Sequence, residues 1–598
     1  MSVAVPYIPE DAPFTSEQRA WLNGLLAGMF SSVPRDSAAQ ETGQRIAVLY
    51  ASQSGVAEGL ARKLAKELKA QGYIPSVSTL VGYTAASLAA ESCALILAST
   101  YGDGDAPDGV EPFYEQLCLE RFPRMDKLSY AVFALGDRHY EHFCEFGKNL
   151  DAKLAALGGN RLADRIDCDV DVDEPFAQWK AFILARLNED SPWQSPRPPV
   201  GMPELKPPAL PTDAGADPKR QAARAFTRDQ PLLAAVIDKR SLTHLASTKS
   251  TLHVAFSIEG TGMSYEAGDA CGVIPANDQN LVAEILQKLR FNGNERVSSA
   301  KEGTTTLYDA LVHEREITRL NRKIMQGYAE RGDCAQLLDL LKPEHQTALE
   351  AYAYDRGFID LLIEFPEVIG DPEDVVTLLP KLAPRLYSIS SSPAAHAGQI
   401  HTTVAVVRFV AHNRHRGGVC STFFADRTSI EDRLPIYIQP NKRFKLPANP
   451  DAPMIMIGPG TGIAPFRGFL HERRALGHKG KNWLFFGERS SATDYLYREE
   501  LESMQADGHL TSFDTAFSRD NGHKIYVQDR MLERAPQFWN WLQEGASVYV
   551  CGDASRMAKD VHATLCRITR EQGAMSAPAA EEYVGALQEQ HRYHRDVY

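Results

Sequence analysis

The sequence predicts a multidomain chain of mixed α/β and β class. A doubly wound parallel sheet comes first, an antiparallel β-barrel with a helical insert second, and another parallel-sheet domain last. Three observations predict this order. Apolar runs at Ile46 to Ser52, Ala94 to Ala98 and Tyr130 to Leu135 each end in a loop of small and polar residues, the pattern of buried parallel strands whose C-terminal ends carry a site. From Pro231 the texture changes to short β-branched runs, STLHVAFSI, CGVIP, RLYSISSS, HTTVAVVRF and PIYIQP, which suit a small antiparallel barrel. Pro453 to Arg467 reads PMIMIGPGTGIAPFR: an apolar strand, a glycine-rich turn and a helix N-terminus, which together make an anion site.

The totals narrow the classes. A chain of 598 residues holds three or four domains. Its formal charge is −13, and residues 46–190 hold 22 acidic against 14 basic side chains, a local balance of −8. That sign disfavours nucleic acid and suits either solubility or an acidic face that steers a basic protein partner. The nine cysteines form no C-x-x-C pair, and no Asp, Glu and His cluster has metal-ligand spacing, so neither a disulfide framework nor a metal site is expected. The N-terminus lacks a basic region followed by an apolar core, and Trp21 to Phe30 is broken by Asn23 and Gly24. The expectation is a cytoplasmic protein with no membrane partner.

Taken in order, residues 1–44 hold a short helix, Phe14 to Phe30, with Trp21, Leu22, Leu25, Leu26, Met29 and Phe30 on one face. That face either packs on its own domain or joins subunits. Residues 45–188 form the doubly wound domain. Its first strand runs into Gln53, Ser54, Gly55, Val56, Ala57 and Glu58, a turn that binds phosphate through backbone N–H and hydroxyl groups. The turn has no lysine, so it is not a Walker loop. The second loop holds Ser99, Thr100, Tyr101 and Gly102, followed by an acidic run of Asp103, Asp105, Asp108 and Glu111. The third holds Leu135, Gly136, Asp137, Tyr140, Phe143 and Cys144.

Residues 189–229 read as a linker, with nine prolines between Pro192 and Pro218. It is either an inert spacer or a pivot that lets one domain swing. The barrel occupies 230–450, with the insert at about 278–380. The last domain occupies 451–598.

SQSGVAE, STYGDGDAPD and LGDRHYEHFC resemble the three FMN loops of flavodoxin and of the flavodoxin-like half of the diflavin reductases. The resemblance implies that the loop at Ser52 to Ala57 holds the ribityl phosphate and that Tyr101 and Tyr140 flank the flat isoalloxazine ring. Val56 departs from the Thr or Asn common in the family and removes one side-chain contact to phosphate.

Arg385, Leu386, Tyr387 and Ser388 resemble the R-x-Y-S flavin signature of the ferredoxin–NADP reductase superfamily, and GPGTGIAPFR its nicotinamide-side loop, with Gly460 and Thr461 at the turn. Gly418, Val419, Cys420 and Ser421 resemble its second pyrophosphate loop. Thr403, Val404, Ala405 and Phe409 match the strand of further FAD contacts, and Thr318 a position near the adenine. AFSRD and KIYVQ resemble an NADPH-selective site, which implicates Ser518, Arg519, Lys524, Ile525, Tyr526, Val527 and Gln528, with Asp560 after YVCGDASRMAKDV. In this reading Cys551 faces the nicotinamide, and the terminal Tyr598 covers the FAD ring with Asp596 beside Ser388.

The resemblance covers about residues 45 to 598 and identifies the chain as a member of the diflavin reductases. It implies FMN, FAD and NADPH as cofactors, with electrons passing from NADPH to FAD, to FMN and out to an acceptor that takes them singly. The C-terminal RYHRDVY and the expected lack of an anchor favour the branch that serves sulfite reductase. That branch implies a hemoprotein (beta) partner carrying siroheme and an iron–sulfur cluster, the six-electron reduction of sulfite to sulfide, and a homo-oligomer built through the N-terminal segment. The alternatives are a soluble NADPH-dependent reductase of a cytochrome or oxygenase, and a flavin-binding electron-transfer scaffold without NADPH turnover.

Overall fold

The structure is a computed structural model that describes residues 44–598, apart from 53–54, 101–103, 105, 108, 120–123, 137–142, 170–171, 190–225, 301–302, 333, 521 and 555. The helix expected at 14–30 and most of the linker lie outside the described residues, as do Gln53, Ser54, Tyr101, Gly102, Asp137 and Tyr140 of the expected site. The chain divides into two compact units, one of residues up to 202 and one of residues 203–598.

The first unit is built on a parallel sheet. Its strands are β1 (Arg45–Ala51), β2 (Ile74–Thr79), β3 (Cys93–Ser99), β4 (Ser129–Leu135), β5 (Asn160–Arg161) and β6 (Ile166–Cys168). Their order is β2-β1-β3-β4-β5, with β6 also paired to β4. This is the doubly wound order in which the chain reverses direction beside β1, the place where such sheets bind ligands. All seven residues of β4 are buried, because helices cover both faces of the sheet. Val48, Leu64 and Trp179 pack on one face; Leu49, Phe113 and Phe146 pack on the other. The short strands β2, β5 and β6 were not predicted.

The second unit opens with a barrel. Its strands are β7 (Leu232–Ser241), β8 (Ser250–Ser257) and β9 (Ala270–Val273), and the insert carries the hairpin β10 (Arg296–Ser298) and β11 (Thr304–Thr306). After the insert come β12 (Arg385–Ser388), β13 (Gln399–Val406), the hairpin β14 (Arg408–Ala411) and β15 (Arg414–Gly417), and β16 (Arg433–Gln439). The sheet order is β12-β9-β16-β7-β8-β13, every pair antiparallel. A bridge between Ile389 and Thr402, with Ser390 N donating to His401 O at 2.8 Å, joins the two ends into a ring. The insert is mostly helical and has its own core, including Ile285, Leu311, Tyr328, Phe358 and Val375.

The last sheet has strands β17 (Met454–Ile457), β18 (Asn482–Glu488), β19 (Ser512–Phe517), β20 (Ser547–Gly552) and β21 (Tyr593–Val597). All are parallel, in the order β19-β18-β17-β20-β21. The fold class matches the prediction, and β21 adds to it: the chain end is an edge strand, not a loose tail.

Candidate functional site

The glycine-rich turn after β17 is forced against the end of β20. A Cβ on Gly462 would lie 2.1 Å from the Cys551 carbonyl oxygen, so only glycine allows this approach. Gly460 adopts φ +59 and turns the chain into the helix Ile463–Ala475. The register of β20 with β21 puts Cys551 opposite Asp596 and Gly552 opposite Val597. Tyr598 N donates to Gly552 O at 3.1 Å, and Ala554 N donates to Tyr598 O at 3.2 Å. The last residue is therefore held by backbone bonds over the turn.

Side chains from four segments meet there. Ser388 Oγ, at the end of β12, donates to Asp596 Oδ2 at 2.8 Å. Cys551 Sγ lies 3.8 Å from the same oxygen. The Tyr598 hydroxyl is 3.0 Å from Thr461 Oγ1. Burial pushes the Asp596 carboxyl above its ordinary value, and the Ser388 and Cys551 donors pull part of that back. Burial and the Asp596 carboxylate push the Cys551 thiol well above the usual range, so it is a neutral thiol and not a nucleophile.

The R-x-Y-S strand leads to a second cluster. Arg385 Nη2 donates to Glu316 Oε2 at 3.3 Å, and Thr318 donates to Glu316 Oε1 through its N at 2.9 Å and its Oγ1 at 2.5 Å. Glu316 thus ties the Thr318 position to Arg385, a link with no signal in the sequence. Tyr387 sits edge-on to Phe424 at 5.7 Å, and Leu386 is exposed. Gly418 caps the helix Val419–Arg427, whose first-turn N–H groups of Val419, Cys420 and Ser421 have no intrahelical acceptor. A Cβ on Gly418 would come 2.7 Å from Ser421 Oγ. Burial pushes the Cys420 thiol up to about 12. Of the β13 residues, Val404 is in the barrel core, Thr403 Oγ1 is bound to Tyr497 Oη at 2.7 Å, and only Ala405 is exposed. Phe409 is exposed on the β14–β15 hairpin.

At the far edge of the last sheet, Ser518 N donates to Glu488 O at 2.9 Å and Arg519 N to Arg489 O at 2.8 Å. These bonds hold the end of β19 beside that of β18. Arg519, Lys524 and Tyr526 are exposed, and Ile525 packs against the core. Tyr526 precedes the helix Val527–Glu533, from which Gln528 Nε2 donates to Asp560 Oδ2 at 3.2 Å. Lys249, from the β7–β8 turn, forms an ion pair with the buried Glu488, another contact the sequence did not signal.

In the first unit, Ser52 Oγ accepts from Gly55 N at 3.0 Å, and Gly55 at φ +84 starts the helix Val56–Ala70. Val56 is exposed and Ala57 buried. Ser99 pairs with Leu135 across the sheet; Thr100 N donates to Leu135 O at 2.8 Å and Gly136 N to Cys168 O at 2.9 Å. Cys144 Sγ donates to Cys168 O at 3.5 Å, and Phe143 lies under the Lys148 ammonium at 5.8 Å. Burial pushes the Cys144 thiol up to about 12.

Family models match along the chain: flavodoxin at residues 48–179, an FAD binding domain at 224–423 and an oxidoreductase NAD-binding domain at 456–563. A sulfite reductase [NADPH] flavoprotein alpha-component of Bacillus subtilis is 39% identical over 596 residues, 98% of this chain and 96% of the relative. Proteins of the same name from Shewanella oneidensis and Serratia proteamaculans are 37% and 38% identical, again over 98% of this chain and 96% of theirs. The chain belongs to the sulfite reductase [NADPH] flavoprotein alpha-component family. It is an NADPH-dependent oxidoreductase of the diflavin type, with FMN, FAD and NADPH as its cofactors.

The residues in place fit these groups. Thr100 Oγ1 is buried without a partner among the described residues, an orphan that a phosphate or ribityl hydroxyl would satisfy. The Gly418 helix start and the Arg385 guanidinium suit the FAD pyrophosphate. The Gly460–Gly462 turn, with exposed Arg519 and Lys524 beyond the C-terminal end of the same sheet, suits NADPH. Among the described residues, no helix is long and apolar enough to cross a membrane.

Proposed function

We propose that this chain passes electrons from NADPH through FAD and FMN to a hemoprotein (beta) component carrying siroheme and an iron–sulfur cluster, where sulfite is reduced to sulfide in six electrons. The observation that carries the reading is the meeting of Ser388, Cys551, Asp596 and Tyr598 at one point, in a chain whose relatives are named as the flavoprotein component of an NADPH sulfite reductase. NADPH supplies a hydride, and the two flavins turn that electron pair into single electrons. The protein's part is to orient and to stabilise charge. Asp596, its carboxylate fixed by the bond to Ser388, would stabilise positive charge developing on a bound nicotinamide. Ser388 would assist at the edge of a bound flavin. Cys551 would pack against the nicotinamide and limit its depth. Tyr598 would cover the flavin and would have to be lifted for the nicotinamide to enter.

Ser52 to Ala57, Ser99 to Gly102, and Leu135, Gly136, Asp137, Tyr140, Phe143 and Cys144 form the FMN site. Thr318, Arg385 to Ser388, Phe409 and Gly418 to Ser421 form the FAD site, with Ala405 the exposed member of β13 beside it, since the side chains of Thr403 and Val404 are committed to the protein interior. Gly460, Thr461, Ser518, Arg519, Lys524 to Gln528 and Asp560 form the NADPH site. The domains are 45–188, 230–450 and 451–598; the chain works in the cytoplasm, and residues 1–44 join subunits.

Mixing the purified flavoprotein with purified hemoprotein, NADPH and sulfite tests the reading: sulfide forms only when both proteins are present. Reduction of a cytochrome but no sulfide would point to the rival reductase function.

A further inference from the structure

The side chains of β21 alternate across the sheet. Tyr593 and Val597 pack into the core on one face, so His594, Asp596 and Tyr598 share the other. Asp596 and Tyr598 have the partners described above. His594 stacks on Tyr549, its register partner on β20, with ring centroids 4.5 Å apart and planes 9° from parallel. Its Nδ1–H donates to the Arg443 carbonyl at 2.8 Å. Tyr549 in turn donates from its hydroxyl to the Lys445 carbonyl at 2.8 Å, and its ring meets Phe444 edge-on at 5.5 Å. Two neighbouring strands therefore each place a donor on one short segment, 443–445, which leaves the barrel after β16.

We infer that His594 is a positioning residue for hydride transfer: it pins β21 to segment 443–445 and fixes the register in which Asp596 meets Ser388 and Cys551. The inference rests on the proposed role of the chain end. β21 is an edge strand of five residues with β20 as its one partner, and such an end frays unless tied down. A slip of one residue would turn Asp596 to the opposite face. The pinned ring lies two positions before Asp596 and four before Tyr598, so the tie holds the carboxylate more directly than it holds the terminal ring. Burial holds the imidazole below its ordinary value, so it is neutral at working pH and keeps one donor for the carbonyl. In the hydride step His594 neither gives nor takes a proton; its part is geometric.

The test uses full-length holoprotein carrying His594→Ala, His594→Gln or, in parallel, Tyr598→Ala. His594→Ala should keep its FMN and FAD. Amide protection of residues 593–598 against hydrogen exchange should fall by at least about fivefold, the lower bound for one hydrogen bond plus a ring contact. Stopped-flow reduction by NADPH should slow by a similar factor, and the preference for NADPH over NADH should weaken. His594→Gln retains a donor for the Arg443 carbonyl and should recover much of both. Wild-type exchange and wild-type preference in His594→Ala, beside a Tyr598→Ala with altered preference, overturn the inference and leave the lid reading standing. If Tyr598→Ala changes nothing either, both fall.

Discussion

Tyr598 is 57% exposed, while its hydroxyl is tied to Thr461 and its backbone to Gly552 and Ala554. A terminal residue held this way presents a ring face and can still be lifted. Replacing it with alanine should let the nicotinamide stack persistently on FAD. Oxidised cofactor then leaves more slowly, and discrimination against NADH weakens, since the ring contact now serves both cofactors. Stopped-flow traces with each cofactor measure this, and unchanged preference and release would show that the residue is no lid. Asp596→Asn should slow hydride transfer with little change in FAD content. Because burial raises the Asp596 carboxyl, acid should slow FAD reduction at a pH above the ordinary aspartate range, and the asparagine variant should lose that dependence. At the opposite edge, Arg519→Ala with Lys524→Ala removes two exposed cations. Each charge-assisted bond contributes roughly 1.5–3 kcal/mol, so NADPH affinity should drop by at least about tenfold while NADH binding holds. Equal losses for both cofactors in a titration would place the 2′-phosphate elsewhere.

At the scale of elements, the barrel meets the last sheet through a buried polar seam. His253 on β8 and His401 on β13 face Arg467 and His471 of the helix Ile463–Ala475 and Glu500 of the helix Arg498–Ala506. Arg467 donates to Ser390 O at 2.7 Å, to His401 Nδ1 at 3.2 Å and to Glu500 at 2.9 Å; Tyr497 Oη lies 3.0 Å from His253 Nδ1. His396 completes the ring cluster, 4.6 Å from His401 and 4.7 Å from His471. Burial first, and the Arg467 charge second, push His253 down to about 3, His396 to about 4 and His401 to about 2. Glu500 is pulled to about 2 because its His471 and Arg467 partners outweigh its burial. Unfolded histidines take up protons from about pH 6.5 downward and these do not, so stability must fall as pH drops below that point. Glu500 adds to the loss below about pH 4.5, where its unfolded form protonates. At about pH 5 each fully buried histidine costs roughly 2 kcal/mol. Calorimetry of the holoprotein should show Tm falling between pH 7 and 5, and His401→Gln should flatten that slope. This seam was not legible in the sequence, since its members lie on four separate segments and only Arg467 belongs to a motif, one read for a different purpose. The glycine turn after β17 and the R-x-Y-S strand were legible as elements, because close backbone approach and a β-branched run demand special residue types. Strand β21 escaped because YHRDV has no apolar alternation; only pairing with β20 makes it a strand. Thr403 shows the same limit in reverse: its strand was foreseen, but register alone shows that its hydroxyl is committed to Tyr497.

The chain must accept electrons two at a time and deliver them singly, so its output should respond to changes outside the nicotinamide site. Deleting residues 1–44 should leave flavin content and NADPH oxidation intact but lower the mass seen by light scattering; an unchanged mass would remove the proposed assembly role of that segment. The delivery face is argued from charge. Residues 46–190 carry a balance of −8, more than half of the chain's −13. Asp103, Asp105, Asp108 and Glu111 follow the second loop, proposed above to hold FMN; the three aspartates lie outside the described residues, and Glu111 opens the helix Glu111–Cys118. An acidic run at a cofactor's edge raises the encounter rate of a basic partner and orients it, more than it adds to affinity. Neutralising all four should therefore slow electron delivery to the hemoprotein most at low ionic strength. The difference should shrink toward about 0.15 M salt, where the screening length is about 8 Å. Reduction of FAD by NADPH should not change, since that step lies in the other unit and involves none of these side chains. Stopped-flow mixing of reduced flavoprotein with hemoprotein across a salt series separates the two steps. A delivery rate independent of salt, and equal in wild type and variant, would mean that the acidic surface serves solubility alone and that the partner docks through another face.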